Sequence, residues 1–111
     1  MSKNTNSPIR RGTKNLFADL VFADAETHLL KAELVSRVQN IMNKRQLTQT
    51  EAARITSVSQ PDLSRMLKGR FRDVSVERLM RMLTRLGCDV DILVKPQGRG
   101  RAFAPIHLDA T

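Results

Sequence analysis

Residues 47–69, Leu-Thr-Gln-Thr-Glu-Ala-Ala-Arg-Ile-Thr-Ser-Val-Ser-Gln-Pro-Asp-Leu-Ser-Arg-Met-Leu-Lys-Gly, constrain the fold of this 111-residue chain more than any other stretch. They hold two helix starts in quick succession. Thr48 precedes Glu51 by three residues and Ser59 precedes Asp62 by three, the spacing of a capping box in which side-chain and backbone groups satisfy each other. Pro61 falls in the first turn of the second helix, where a missing N–H costs nothing. Ala52, Ala53 and Ile55 point inward from the first helix, and Leu63, Met66 and Leu67 from the second. Ala53 is small enough for the helices to approach closely, while Val58, inside the turn Ser57-Val58-Ser59, fills the gap between them. Gly69 stops the second helix, as Gly does just past a C-cap. Helices this short are unstable alone, so the pair must pack on each other and on their neighbours.

Reading outward supplies those neighbours. Leu30, Leu34, Val38, Ile41 and Met42 recur at spacings of three and four, with Asp24 as N-cap and Glu26 in the first turn, which predicts an amphipathic helix ending near Arg45. Leu29 and Val35 widen its apolar face. Ser75 opens a further helix whose stripe is Val76, Leu79, Met80, Leu83 and Leu86, and Gly87 stops it. The period then changes to two: Cys88, Val90, Ile92 and Val94 alternate with Asp89, Asp91, Leu93 and Lys95, which predicts a strand ending at Pro96. A lone strand must find a partner. It pairs either with the apolar cluster Asn15 to Phe22 or with its own copy in a second subunit, and both routes lead to a homodimer through Val90, Ile92 and Val94. The cluster at 15–22 is too short for a helix by itself, and serves either as dimer core or as a grip for a partner protein. The expected organisation is a basic arm at 1–14, one mostly α domain at 15–95, and a disordered tail at 96–111.

Charge narrows the function classes. The formal charge is +8, with four basic and no acidic residues in 1–15, and eight basic against four acidic in 46–86. The segments 16–45 and 87–111 are each neutral. A surplus confined to the arm and to the two capped helices with their successor favours a polyanionic partner. The single Cys88 allows no intramolecular disulfide, and no apolar stretch approaches a membrane span, so a cytoplasmic protein is expected. His28 and His107 lack neighbours at metal-ligand spacing. No nucleophile–base set, carboxylate pair or phosphate loop is present, and Glu51, Asp62 and Glu77 are accounted for by helix starts. Neither enzymatic activity, a cofactor nor a metal is expected.

The outward face of the second helix matches a DNA major groove. Gln60 suits a bidentate pair to adenine and Arg65 one to guanine; Ser64 serves several bases or a phosphate, and Pro61 packs on a thymine methyl. Gln49, in the first turn of the preceding helix, suits a phosphate, as do Lys68, Arg70 and Arg72. The rival reading is a helical hairpin with a solvated polar face, a protein–protein adaptor that touches no DNA. The basic arm itself suits a minor groove.

These residues resemble the Xre, or lambda-repressor-like, helix-turn-helix family, including its Leu-Thr-Gln opening, its paired alanines and its Ser-Gln-Pro entry. Asn15-Leu-Phe-Ala-Asp-Leu, Asp24-Ala-Glu, Lys31-Ala-Glu-Leu, Gly69-Arg-Phe, Ser75-Val-Glu-Arg-Leu and Leu86-Gly-Cys-Asp-Val extend the likeness over residues 15–95, toward the HigA-type antitoxin branch. The resemblance implies a lambda-repressor-like five-helix domain with one C-terminal strand pairing across a dimer. It implies an antitoxin that neutralises a RelE-like toxin and represses its own operon through a palindromic operator, at the bacterial nucleoid. A stand-alone phage-type or metabolic repressor is the alternative. One departure stands out. Such repressors usually end the first helix with an apolar residue and Gly, where this chain has Thr56-Ser57, so Ser57 must take a left-handed conformation disfavoured by about 1 kcal/mol relative to Gly.

Overall fold

The computed structural model describes residues 12–96 together with Ile106 and Leu108. Four helices follow in order: α1 Gly12–Arg45, α2 Gln49–Thr56, α3 Gln60–Leu67 and α4 Val76–Arg85. The mostly helical class expected from the sequence is what forms. The count is four rather than five, and no strand forms among the described residues.

Both departures begin at α1. Asp24 is no N-cap: the helix runs through it without interruption for 34 residues, about 50 Å at the α-helical rise. Starting a helix is unfavourable, but extending one already nucleated is not. Between Asn15 and Arg45 there is neither Gly nor Pro to stop it. One half of α1 packs on α3 and α4, and the turns before it extend a helix already held there at little further cost. Residues 15–22 are therefore helical and cannot be the strand partner of 88–96. Leu20 and Val21 are exposed, as is Leu29, which the periodicity had placed on the apolar face.

The core forms where the stripes of α1, α3 and α4 meet, with α2 laid on α3 and α4. Leu34, Val38 and Met42 of α1 face Leu63 and Met66 of α3 and Leu79, Met82 and Leu83 of α4, all buried. Leu63 and Leu79 are wholly excluded from water, which for each is worth about 1.5–3 kcal/mol. Ala52, Ala53 and Val58 are buried as their size and place demand. On α4 the buried methionine is Met82, with Met80 half-buried, because 79, 82, 83 and 86 lie on one helical stripe. Phe71, which the sequence had left inside a basic loop, is buried in the core.

All four helices end in the same device. A residue in the left-handed region follows the helix, and the next N–H reaches back to the carbonyl five residues earlier. The bonds are Leu47 to Met42 (2.8 Å), Val58 to Ala53 (3.1 Å), Arg70 to Arg65 (2.9 Å) and Cys88 to Leu83 (3.0 Å). Gly69 and Gly87, both at φ 97°, adopt it freely; Gln46 at φ 57° and Ser57 at φ 61° adopt it against the Cβ clash. The capped starts follow the sequence equally closely. Ser59 and Ser75 each accept from the N–H three residues on, and Thr48 with Glu51 completes the reciprocal box.

Beyond α4 the chain is extended but unladdered. Cys88 and Val90 are half-buried against the core, while Ile92, Leu93 and Val94 are 75%, 76% and 87% exposed. An alternating pattern makes a strand only when a second backbone supplies the hydrogen bonds, and the described chain offers none. Leu108 returns to pack on the core and Ile106 is exposed; the rest of 97–111 lies outside the described residues, as do the first eleven residues of the expected arm.

Candidate nucleic-acid interface

Helix α3 has eight residues and two opposed faces. Leu63 and Met66 are sunk in the core, which fixes the rotation of the helix and leaves its other side outward. That side carries two adjacent ridges at spacings of four, Gln60–Ser64–Lys68 and Pro61–Arg65. Ser64 is half-buried and the other four are exposed. All four residues expected to read bases therefore share one outward face. Gln49 stands exposed in the first turn of α2, behind a start held by the Thr48–Glu51 box. Glu51 accepts from the Thr48 N–H at 2.8 Å and from its hydroxyl at 3.2 Å. The Thr48 backbone donor, then the Thr48 hydroxyl, hold its carboxyl below the ordinary carboxylate range.

The turn that sets the angle between α2 and α3 is pinned from several sides. Ser57 Oγ accepts from Arg85 Nη1 of α4 at 3.2 Å. Thr56, buried, donates its hydroxyl to the Ala52 carbonyl at 2.7 Å and so needs no partner outside α2. Arg45, at the end of α1, donates to the Leu86 carbonyl at 2.8 Å and joins the ends of α1 and α4.

The loop after α3 carries Arg70 and Arg72, both exposed, and α1 holds it. Asp24, His28 and Lys31 fall on one side of α1 at spacings of four and three. Asp24 Oδ2 accepts from Arg72 Nη1 at 2.8 Å, and Lys31 Nζ donates to the Arg72 carbonyl at 2.7 Å. The His28 ring stacks on Phe71 with centroids 5.0 Å apart and planes at 20°. No local pattern signals this clamp, because it joins residues over forty positions apart. Arg78 was missed for the same reason. It stands in the first turn of α4, yet with Arg65 and Arg70 it lines a notch of about 160 Å³ beside α3.

The residues named for dimerisation separate. Val90 lies against its own core, whereas Ile92 and Val94 face outward. Among the described residues no group of three or more His, Cys, Asp or Glu is placed to hold a metal ion, and no helix is long and apolar enough to cross a membrane. His107 lies outside the described residues.

A core-fixed helix with an outward polar and cationic face, set by a tight turn on a second short helix, defines a helix-turn-helix protein. Residues 16–95 match the helix-turn-helix domain family, and the chain belongs to it. A solved structure provisionally described as an XRE family transcriptional regulator is similar over 79% of this chain and 99% of its own, with 33% identity and a TM-score of 0.74. No curated protein matches.

Proposed function

We propose that this chain is a sequence-specific DNA-binding transcriptional repressor of the Xre kind that acts as a homodimer. The observation that carries this reading is the outward face of α3, where Gln60, Pro61, Ser64 and Arg65 stand together while the opposite face is locked in the core. In this reading α3 enters the major groove, with Arg65 on guanine, Gln60 on adenine, Pro61 against a thymine methyl and Ser64 serving several bases. Gln49, Lys68, Arg70 and Arg72 hold phosphates and set the register, Arg72 exchanging its Asp24 partner for a phosphate. A palindromic operator with half-sites about one turn apart suits two copies. Support for the dimer comes from the exposed Ile92, Leu93 and Val94, whose backbone forms no ladder among the described residues and whose expected partner at 15–22 is helical.

The more specific role is that of a HigA-type antitoxin that neutralises a RelE-like toxin and represses the operon encoding both, at the nucleoid in the bacterial cytoplasm. The string of motifs from Asn15 to Val90 supports it. The exposed Leu20 and Val21 on the N-terminal turns of α1 supply an apolar surface for such a partner.

Two measurements test the reading. Gln60→Ala with Arg65→Ala abolishes footprinting of the chain's own promoter while leaving toxin capture intact; footprinting that survives refutes the assignment of α3. Copurification with the product of the neighbouring gene tests the antitoxin role, and a neighbour that neither binds nor cleaves RNA removes it.

A further inference from the structure

We infer that Asp62 is a specificity-determining positioning residue, which makes Arg65 a reader of bases rather than a binder of any phosphate. The inference rests on the reading of α3 as the groove helix. The sequence suggested that Asp62 completes a capping box as Glu51 does, and the structure separates the two. Glu51 turns back onto the Thr48 N–H. Asp62 uses only its backbone, whose N–H donates to Ser59 Oγ at 3.2 Å. Its carboxylate is left for other partners, because Asp is one methylene shorter than Glu and reaches the cap less well. Oδ1 pairs with Arg65 one turn on, and Oδ2 lies 3.9 Å from Arg78 Nη2 of α4.

This placement has an electrostatic consequence. The notch beside α3 is lined by three arginines, Arg65, Arg70 and Arg78. With no acid present it would attract any duplex, since phosphate binding carries no sequence information. Asp62 and Asp73 line the same notch and reduce its local charge from +3 to +1. Arg65 keeps one edge on Asp62 and offers its remaining donors in a fixed plane, as a bidentate pair to guanine requires. A carboxylate at this place also repels phosphates when the helix sits in the wrong register, so that discrimination is gained by penalising wrong complexes.

Asp62→Asn removes the charge, keeps the shape and leaves the Ser59 cap in place. Binding is measured by fluorescence anisotropy on the best duplex selected from a random library and on a scrambled duplex of equal composition, each across a salt series. Affinity for the scrambled duplex should rise about tenfold at low salt, and its logarithmic salt dependence should steepen by about one per subunit as a guanidinium is released to a phosphate. Affinity for the selected duplex should stay within about threefold, so discrimination falls by roughly the difference. Asp62→Glu, which restores the charge, should bring scrambled-duplex binding back toward wild type. Unchanged affinities and salt slopes in Asp62→Asn overturn the inference. So does a parallel loss on both duplexes, which marks a merely structural residue. Arg65→Ala separates the two levels: if it discriminates as well as wild type, the groove-helix reading itself fails. If it loses discrimination while Asp62→Asn does not, only the role of Asp62 fails.

Discussion

Ser57 lets the strain in the helix-turn-helix turn be measured. It sits at φ 61°, ψ 34°, and its hydroxyl accepts from Arg85 Nη1 at 3.2 Å. Three effects compete when it is replaced. Glycine relieves the left-handed clash of a Cβ residue, about 1.5 kcal/mol in the folded state alone. It also gives the unfolded chain more freedom, which takes back about 0.7 kcal/mol. Losing the exposed hydrogen bond to Arg85 removes about 0.5 kcal/mol more. Ser57→Gly should therefore lie within about 0.5 kcal/mol of wild type, because the gain and the losses nearly cancel. Ser57→Ala keeps the strain and loses the bond, so it should be less stable than Ser57→Gly by about 0.8 kcal/mol. For a domain of this size that is a difference of about 3–6 °C in Tm. Thermal and urea unfolding followed by circular dichroism at 222 nm measure both variants. In an Arg85→Ala background the hydrogen bond is already gone, and Ser57→Gly should then stabilise by the full ~0.8 kcal/mol. A glycine variant no more stable than the alanine variant refutes the reasoning, since it would mean that residue 57 is not left-handed in solution.

Further outcomes follow from other parts of the fold. Leu63→Ala empties the point where α1, α3 and α4 meet and should lower stability by about 2–5 kcal/mol in urea titrations; a loss below 1 kcal/mol would contradict its complete burial. The Glu51 carboxyl is depressed in the folded state below its ordinary value of 4.5, so its contribution is present above that value and is lost as pH falls through the folded pKa. Glu51→Gln should accordingly flatten the acid limb of a urea-midpoint profile, and an unchanged limb argues against the box. Asp24→Ala breaks an exposed ion pair and should shift stability by no more than about 1 kcal/mol. Arg72→Ala should weaken binding about equally on selected and scrambled duplexes and reduce the salt slope by about one per subunit. An effect confined to the selected duplex would place Arg72 on a base.

Much of the fold was determined by the sequence alone, wherever a structural choice is made by residues within one turn of each other. Thr48, Ser59 and Ser75 start helices because a hydroxyl and the N–H three positions on are neighbours in any helix start. Gly69 and Gly87 end helices because they take positive φ without a clash, and the resemblance to repressors that carry Gly after the first helix marked Ser57 as a left-handed position. The two faces of α3 are also local, since Leu63 and Met66 lie opposite Gln60, Ser64 and Arg65 at the helical period. Only the tertiary structure decided the rest. Whether residues 16–25 are helix depends on the packed half of α1 that they extend. Whether 88–96 is strand depends on a second backbone, which no alternation of side chains supplies. Phe71 is buried because α1 closes over its loop through Asp24, His28 and Lys31. The fate of the Asp62 carboxylate was decided in the same way. Its spacing from Ser59 predicted a cap, but Arg65 and Arg78 compete for the same oxygens, and Arg78 arrives only when α4 docks against α3.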